Sequence, residues 1–280
     1  MDKSLHERIE PETASRLRAA LPWIVAGLLL VNLTLFLLAT PSGWLSKADM
    51  VGYAVCHQIP SHSFSFAGSQ LPLCARCTGT FLGALLGLFG QVLVLRRRQA
   101  SAFPPVGILI VLVSFTALWA ADGVNSYLAL IGAPHAYEPS NALRLVTGSL
   151  NGLTMSALIY PVFNISLWRD PLDRPGIRGP GDLGALLLLE AGLVGVVLSG
   201  QGFLLYPLAL LSALAVLTLL TSVNSVLAVI LLGQENTIEG WHEALKPISV
   251  GLLLSLIQVS VIDLIRYAVT GTLGPIPTLH

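Results

Sequence analysis

Apolar residues fall in long uninterrupted blocks along this chain, without the two-residue alternation of a half-buried strand. Seven blocks stand out: Leu21 to Ala39, Thr78 to Leu95, Val106 to Ala121, Ala142 to Phe163, Leu183 to Ser199, Phe203 to Leu232 and Ile248 to Val269. Each is near the roughly 20 residues that a bilayer-crossing helix needs, and the sixth is long enough to tilt or kink. The pattern predicts an all-α fold, a bundle of seven transmembrane helices. The first block follows a long basic leader, and Leu37-Leu38-Ala39-Thr40-Pro41 lacks the small-x-small signature of a cleavage site, so an uncleaved anchor is expected.

Charge orients the bundle. With the N-terminus in the cytoplasm, the inner segments hold Lys3, Arg8, Arg16, Arg18, Arg96, Arg97, Arg98, Arg169, Arg174, Arg178 and Lys246, and the outer side only Lys47, Arg76, Arg144 and Arg266. This bias predicts an N-inside, C-outside chain. The expected organisation is a cytoplasmic tail (1–20), a four-helix unit (21–165), a cytoplasmic linker rich in Pro, Gly and Arg (166–181), a three-helix unit (182–270) and an outer tail (271–280).

Composition agrees: 54% of residues are apolar and 11% charged, against about a quarter charged in soluble domains. Soluble globular, disordered and collagen-like chains are excluded. Fifteen Lys+Arg balance fifteen Asp+Glu, which gives no electrostatic case for nucleic acid. The partner implied is the lipid bilayer, and the sequence leaves the oligomeric state open.

The chemistry concentrates in the outer loop between the first two spans. It reads Cys56-His57-Gln58-Ile59-Pro60-Ser61-His62-Ser63-Phe64 and then Cys74-Ala75-Arg76-Cys77-Thr78-Gly79. Cys74-x-x-Cys77 with an upstream Cys56 and His57 offers the four sulfur and nitrogen donors of a tetrahedral zinc or other thiophilic-metal site. Neighbours such as Cys56 and His57 rarely ligate one metal comfortably, so His62 competes as the fourth ligand. Two other readings stay open. A C-x-x-C at a helix N-terminus beside Arg76 is expected to have a lowered thiol pKa and could serve a thiol–disulfide or quinone-linked oxidoreductase. Alternatively, a structural disulfide plus a spare thiol would fix span two against span one.

These residues resemble the DUF2085 family of predicted bacterial membrane proteins, whose motif runs Cys-His-Gln-x-Pro-x-Arg-Ser-Phe and then Cys-Ala-Arg-Cys-Thr-Gly. Cys56, His57, Gln58, Pro60, Ser63, Phe64, Cys74, Ala75, Arg76, Cys77, Thr78 and Gly79 match. The similarity continues through Asp122-Gly123, Ser140-Asn141, Arg144 and Thr147-Gly148, over about residues 50–155. His62 stands where the motif has arginine. The resemblance implies a shared site in a bacterial cytoplasmic membrane and no particular reaction.

Polar residues inside the spans cost roughly 2.5–3.5 kcal/mol when charged and so mark sites or fixed pairs. Asp122 and Asn125 close span three. Asn141, Arg144, Thr147, Gly148 and Asn151 form a stripe at helical spacing on span four, and Asp263 and Arg266 close span seven. All fall at the outer end, which predicts a pocket of Arg76, Asp122, Asn125, Asn141, Arg144 and Asp263 beside the cysteines, able to hold a lipid head group or a small anion. Ordinary packing, with Asp122–Arg144 and Asp263–Arg266 as ion pairs, competes with this reading. Glu190, alone in mid-span, is either a neutral hydrogen-bonded acid or a step on a proton or ion path, the feature a transporter would use. Gly79, Gly83 and Gly87 read as a close helix contact. Glu239-x-x-His242 is half of a di-metal motif without its second half, and an interfacial turn anchored by Trp241 fits it better. The chain has no phosphate-binding loop, dinucleotide fingerprint, H-E-x-x-H or G-x-S-x-G.

Overall fold

A computed structural model describes residues 3–272, with side chains from residue 20 onward; the side chains of the basic leader and the tail beyond 272 lie outside that description. Seven of its helices are long and apolar enough to cross a membrane. They are α1 (Lys3–Ala39), α3 (Ala75–Phe89, continued by a π-helical turn Gly90–Val94), α4 (Val106–Leu130), α5 (Asn141–Leu167), α6 (Pro180–Leu198), α7 (Leu205–Leu231) and α8 (Trp241–Thr270). The architecture is therefore the expected all-α, multi-pass one. Helix α4 runs on past Ala121 through Leu130, which carries Asp122 and Asn125 on one continuous face.

Two short sheets and one helix were not foreseen. Helix α2 (Trp44–Val55) is too short to span, and it buries Ala48, Met50, Val51, Tyr53 and Ala54 against the bundle end. Strands β1 (Ser63–Phe66) and β2 (Ser69–Cys74) form an antiparallel hairpin that leads straight into α3. Gly52 lets α2 lie on β2, since a Cβ there would overlap the Pro72 carbonyl. Lys47 closes the end of α1, its Nζ donating to the Thr40 carbonyl at 3.0 Å and to Thr40 Oγ1 at 2.7 Å.

At the other end, β3 (Ala100–Ala102) pairs in parallel with β4 (Leu172–Pro175). Trp168 bridges to Ile238, which joins the α5–α6 and α7–α8 connections. The Pro/Gly/Arg stretch is thus folded onto the bundle, with Ile177 fully buried. One apolar core draws on both sides of that stretch, combining Leu82, Leu85 and Leu145 with Val197, Leu205, Leu208 and Ala215. Trp241 meets Trp168 edge to face at 4.9 Å, and Glu239 pairs with Arg169, so the Glu239-x-x-His242 segment is an anchored turn.

The tightest contact joins α3 and α5. Gly79, Gly83 and Gly87 on α3 meet Leu145, Ser149 and Ser156 on α5, while Gly148 and Gly152 on α5 meet the backbone of Arg76, Thr80 and Ala84 on α3. A Cβ on Gly152 would lie 2.6 Å from Ala84 N, and one on Gly83 would lie 2.7 Å from Ser149 O. Small residues on both partners bring the two backbones into direct contact.

Candidate functional site: three thiols and a two-arginine centre

Helix α2 ends at Cys56, whose extended backbone (φ −137°, ψ 148°) turns the chain toward the hairpin. Cys74 ends β2 and precedes α3, so the hairpin returns Cys74 and Cys77 to Cys56. All three are free thiols. The Cys74 backbone N–H donates to Cys56 Sγ at 3.2 Å, and the Gln58 N–H approaches it at 3.5 Å. Val51, Leu73, Val216, Phe36 and Phe81 surround the sulfurs.

Gln58 holds this arrangement together, from a left-handed backbone (φ 54°) that non-glycine residues rarely adopt. Its side-chain amide donates to the carbonyls of Asp49 and Pro72, both at 2.9 Å, and its own carbonyl accepts from Gln70 at 3.0 Å. No chemical argument from sequence singled it out, although it sits inside the Cys-His-Gln motif.

The expected fourth ligand is not at the sulfurs. His57 is exposed, because neighbouring side chains of an extended segment point to opposite sides. His62 is half-buried beside the arginines; burial first, then Arg144 and Arg76, lowers its pKa. Among the described residues no group of three or more His, Cys, Asp or Glu side chains is disposed to hold a metal ion.

At Cys74 the expected lowering of the thiol pKa is reversed. At Cys56, hydrogen bonding with Cys74 pulls downward, but hydrogen bonding with Cys77 and burial outweigh it and push the thiol up to about 11. Hydrogen bonding with Cys56, then burial, raises Cys74 further. Arg76 does not offset this, because its charge is engaged elsewhere.

Arg76 pairs with Asp122. Its Nε donates to Asp122 Oδ2 at 3.1 Å, and its Nη2 donates to that same oxygen, to the Asp122 carbonyl at 3.0 Å and to Ser126 Oγ at 2.9 Å. Tyr137 donates its hydroxyl to Asp122 Oδ1 at 2.9 Å. Asn125 fixes the loop that delivers Tyr137, accepting from Ala136 N at 2.8 Å and donating to the Tyr137 carbonyl at 2.8 Å. Neither Tyr137 nor Ser126 carries a sequence signal, since the partner lies across the bundle.

The expected Asp122–Arg144 pair is therefore replaced by Asp122–Arg76. Arg144 instead donates from Nη1 to Asn141 Oδ1 at 2.8 Å, and Asn141 Nδ2 reaches the Ser61 and Ser63 carbonyls at 3.2 and 3.3 Å. The stripe on α5 thus meets the hairpin.

The expected Asp263–Arg266 pair is also not formed. Arg266 donates to the carbonyls of Tyr53 and Cys56, the latter at 2.7 Å, and stacks over the Tyr53 ring at 3.8 Å. It caps the orphan carbonyls at the end of α2. Asp263 Oδ1 is buried without a partner. These two residues lie on the α2 side of the thiols, apart from the Arg76–Asp122 centre. Glu190 is separate again, accepting from Ser149 Oγ at 2.6 Å.

This arrangement defines a multi-pass helical membrane protein with a capped thiol cluster and a buried arginine centre at one end. The chain belongs to the DUF2085 family of predicted membrane proteins, whose family model matches residues 56–158. That segment carries the cysteine hairpin, α3, α4 and most of α5. An uncharacterized protein of Methanothermobacter thermautotrophicus is 30% identical over 104 residues, 37% of this chain and 83% of that protein. An uncharacterized protein of Methanocaldococcus jannaschii is 29% identical over 109 residues, 39% of this chain and 64% of that protein. Both relatives are archaeal. No solved structure matches the chain.

Proposed function

We propose that this chain is an integral membrane metalloprotein in which Cys56, Cys74 and Cys77 bind zinc or another thiophilic metal ion. On the Lys/Arg bias we place this centre at the outer membrane face. The observation that carries the reading is the meeting of two chain segments at free cysteines, with Cys56 Sγ beneath the Cys74 N–H at 3.2 Å and Cys77 packed in the same cluster. Binding would displace thiol protons and draw the sulfurs around the ion. With His57 facing away, the fourth position falls to water or an external ligand, the open arrangement that catalytic zinc uses.

A thiol–disulfide reading has weaker support, because burial and mutual hydrogen bonding keep Cys56 and Cys74 protonated at neutral pH. The test is metal content of detergent-purified protein, with free-thiol titration and a Cys74→Ser control. About one metal ion per chain, lost in the variant, is expected. Metal-free protein whose thiols appear only after reduction would replace this reading with the redox one.

A further inference from the structure

We propose that Arg144, at the start of α5, binds a phosphate-class oxyanion, carried by a lipid head group or a free solute. Arg144 is 5% exposed and has no carboxylate within ion-pair distance among the described residues. Asn141 holds its Nη1, while its Nε is buried with no partner and its Nη2 makes no hydrogen bond. The Nε–Nη2 edge is the fork that takes two oxygens of one anion.

The charge balance points the same way. Arg76 and Arg144 share one carboxylate, Asp122, which Arg76 and Tyr137 already occupy. His62 faces both guanidiniums and is kept neutral by them and by burial, so it adds no positive charge at neutral pH. Among the described residues one buried positive charge is left without a carboxylate of its own. The N-terminus of the 27-residue α5 adds its positive end beside it. An anion would satisfy the free edge and balance the charge. The inference needs no metal at the thiols.

Two binding measurements test it on the full-length protein. Inorganic phosphate is titrated in neutral detergent and followed by thermal unfolding. Retention of phosphatidylglycerol from nanodiscs is followed by native mass spectrometry. At least one is expected to report binding, about tenfold weaker in Arg144→Gln. Arg144→Lys is expected to fall between, since it keeps the charge and loses the fork. It also serves as the reference variant if Arg144→Gln misfolds. A response to phosphate alone assigns a solute; retention of lipid alone assigns a head group. Absence of both, or equal binding by wild type and both variants, overturns the proposal. Metal content of the same preparations reads the thiol proposal separately.

Discussion

Arg76 reaches from the first turn of α3 to Asp122 on α4, although 46 residues separate them. Asp122 is 2% exposed, while the Arg76 side chain keeps 21% of its surface in contact with solvent. Removing the acid strands a guanidinium beside the already unbalanced Arg144. Asp122→Ala is expected to destabilise the protein by about 2–4 kcal/mol, below the extreme for fully buried pairs because Arg76 retains some water. Removing Arg76 as well should restore part of that loss. A double-mutant cycle on unfolding in detergent measures the coupling. Strictly additive losses would show that the pair is not coupled.

The α3–α5 seam makes a sharper steric prediction. Gly152 lies against the Thr80 carbonyl and Ala84 N, whereas a methyl group added at Gly123 would meet nothing within 4 Å. Gly152→Leu must separate two backbones, at about 1–3 kcal/mol or more. Gly123→Leu on α4 should be close to neutral. Fluorescence-detected size-exclusion after heating compares the two, and equal tolerance would refute the seam.

The seven spans were legible because lipid demands apolar runs of fixed length, a constraint that acts on each segment alone. The cysteines were legible because few residue types bear such chemistry. Ion-pair partners were not. Asp122 and Arg144 lie on adjacent spans, yet Arg76 takes the acid through the hairpin's return into α3. Arg266 has Asp263 one helical turn away and still turns to the carbonyls ending α2, a helix the apolar pattern does not reveal. Gly79, Gly83 and Gly87 announced one side of the seam. On the other side, Gly148 is hidden in a stripe that reads as polar, and Gly152 stands just beyond it.

Glu190 is 3% exposed and has one hydrogen-bond donor, Ser149 Oγ, with Oε1 left unpartnered. No cation faces it within ion-pair distance among the described residues. A glutamine carbonyl can accept the same hydroxyl. Glu190→Gln is therefore expected to fold with stability within about 1 kcal/mol of wild type. Thermal unfolding checks this. A large loss would mean that the negative charge itself holds the helices together. A normal fold with abolished solute or proton flux in proteoliposomes would instead place Glu190 on a transport path.

Asp49 gives the clearest pH dependence. It lies on α2, outside the spanning helices, and burial pushes its carboxyl from the ordinary 3.8 up to about 6. The folded chain therefore holds this proton more tightly than the unfolded chain does. Between those two values the unfolded state binds fewer protons, so stability falls as pH rises through the window and levels off above about 6. Asp49→Asn removes the penalty. The variant should be more stable than wild type at pH 7.5, by about 1 kcal/mol once the partial exposure of this side chain is allowed for. Its advantage should shrink on acidification and vanish below about pH 4. Unfolding midpoints of both proteins across that range decide the matter. Parallel curves would show that Asp49 is as well solvated in the folded protein as in the unfolded chain.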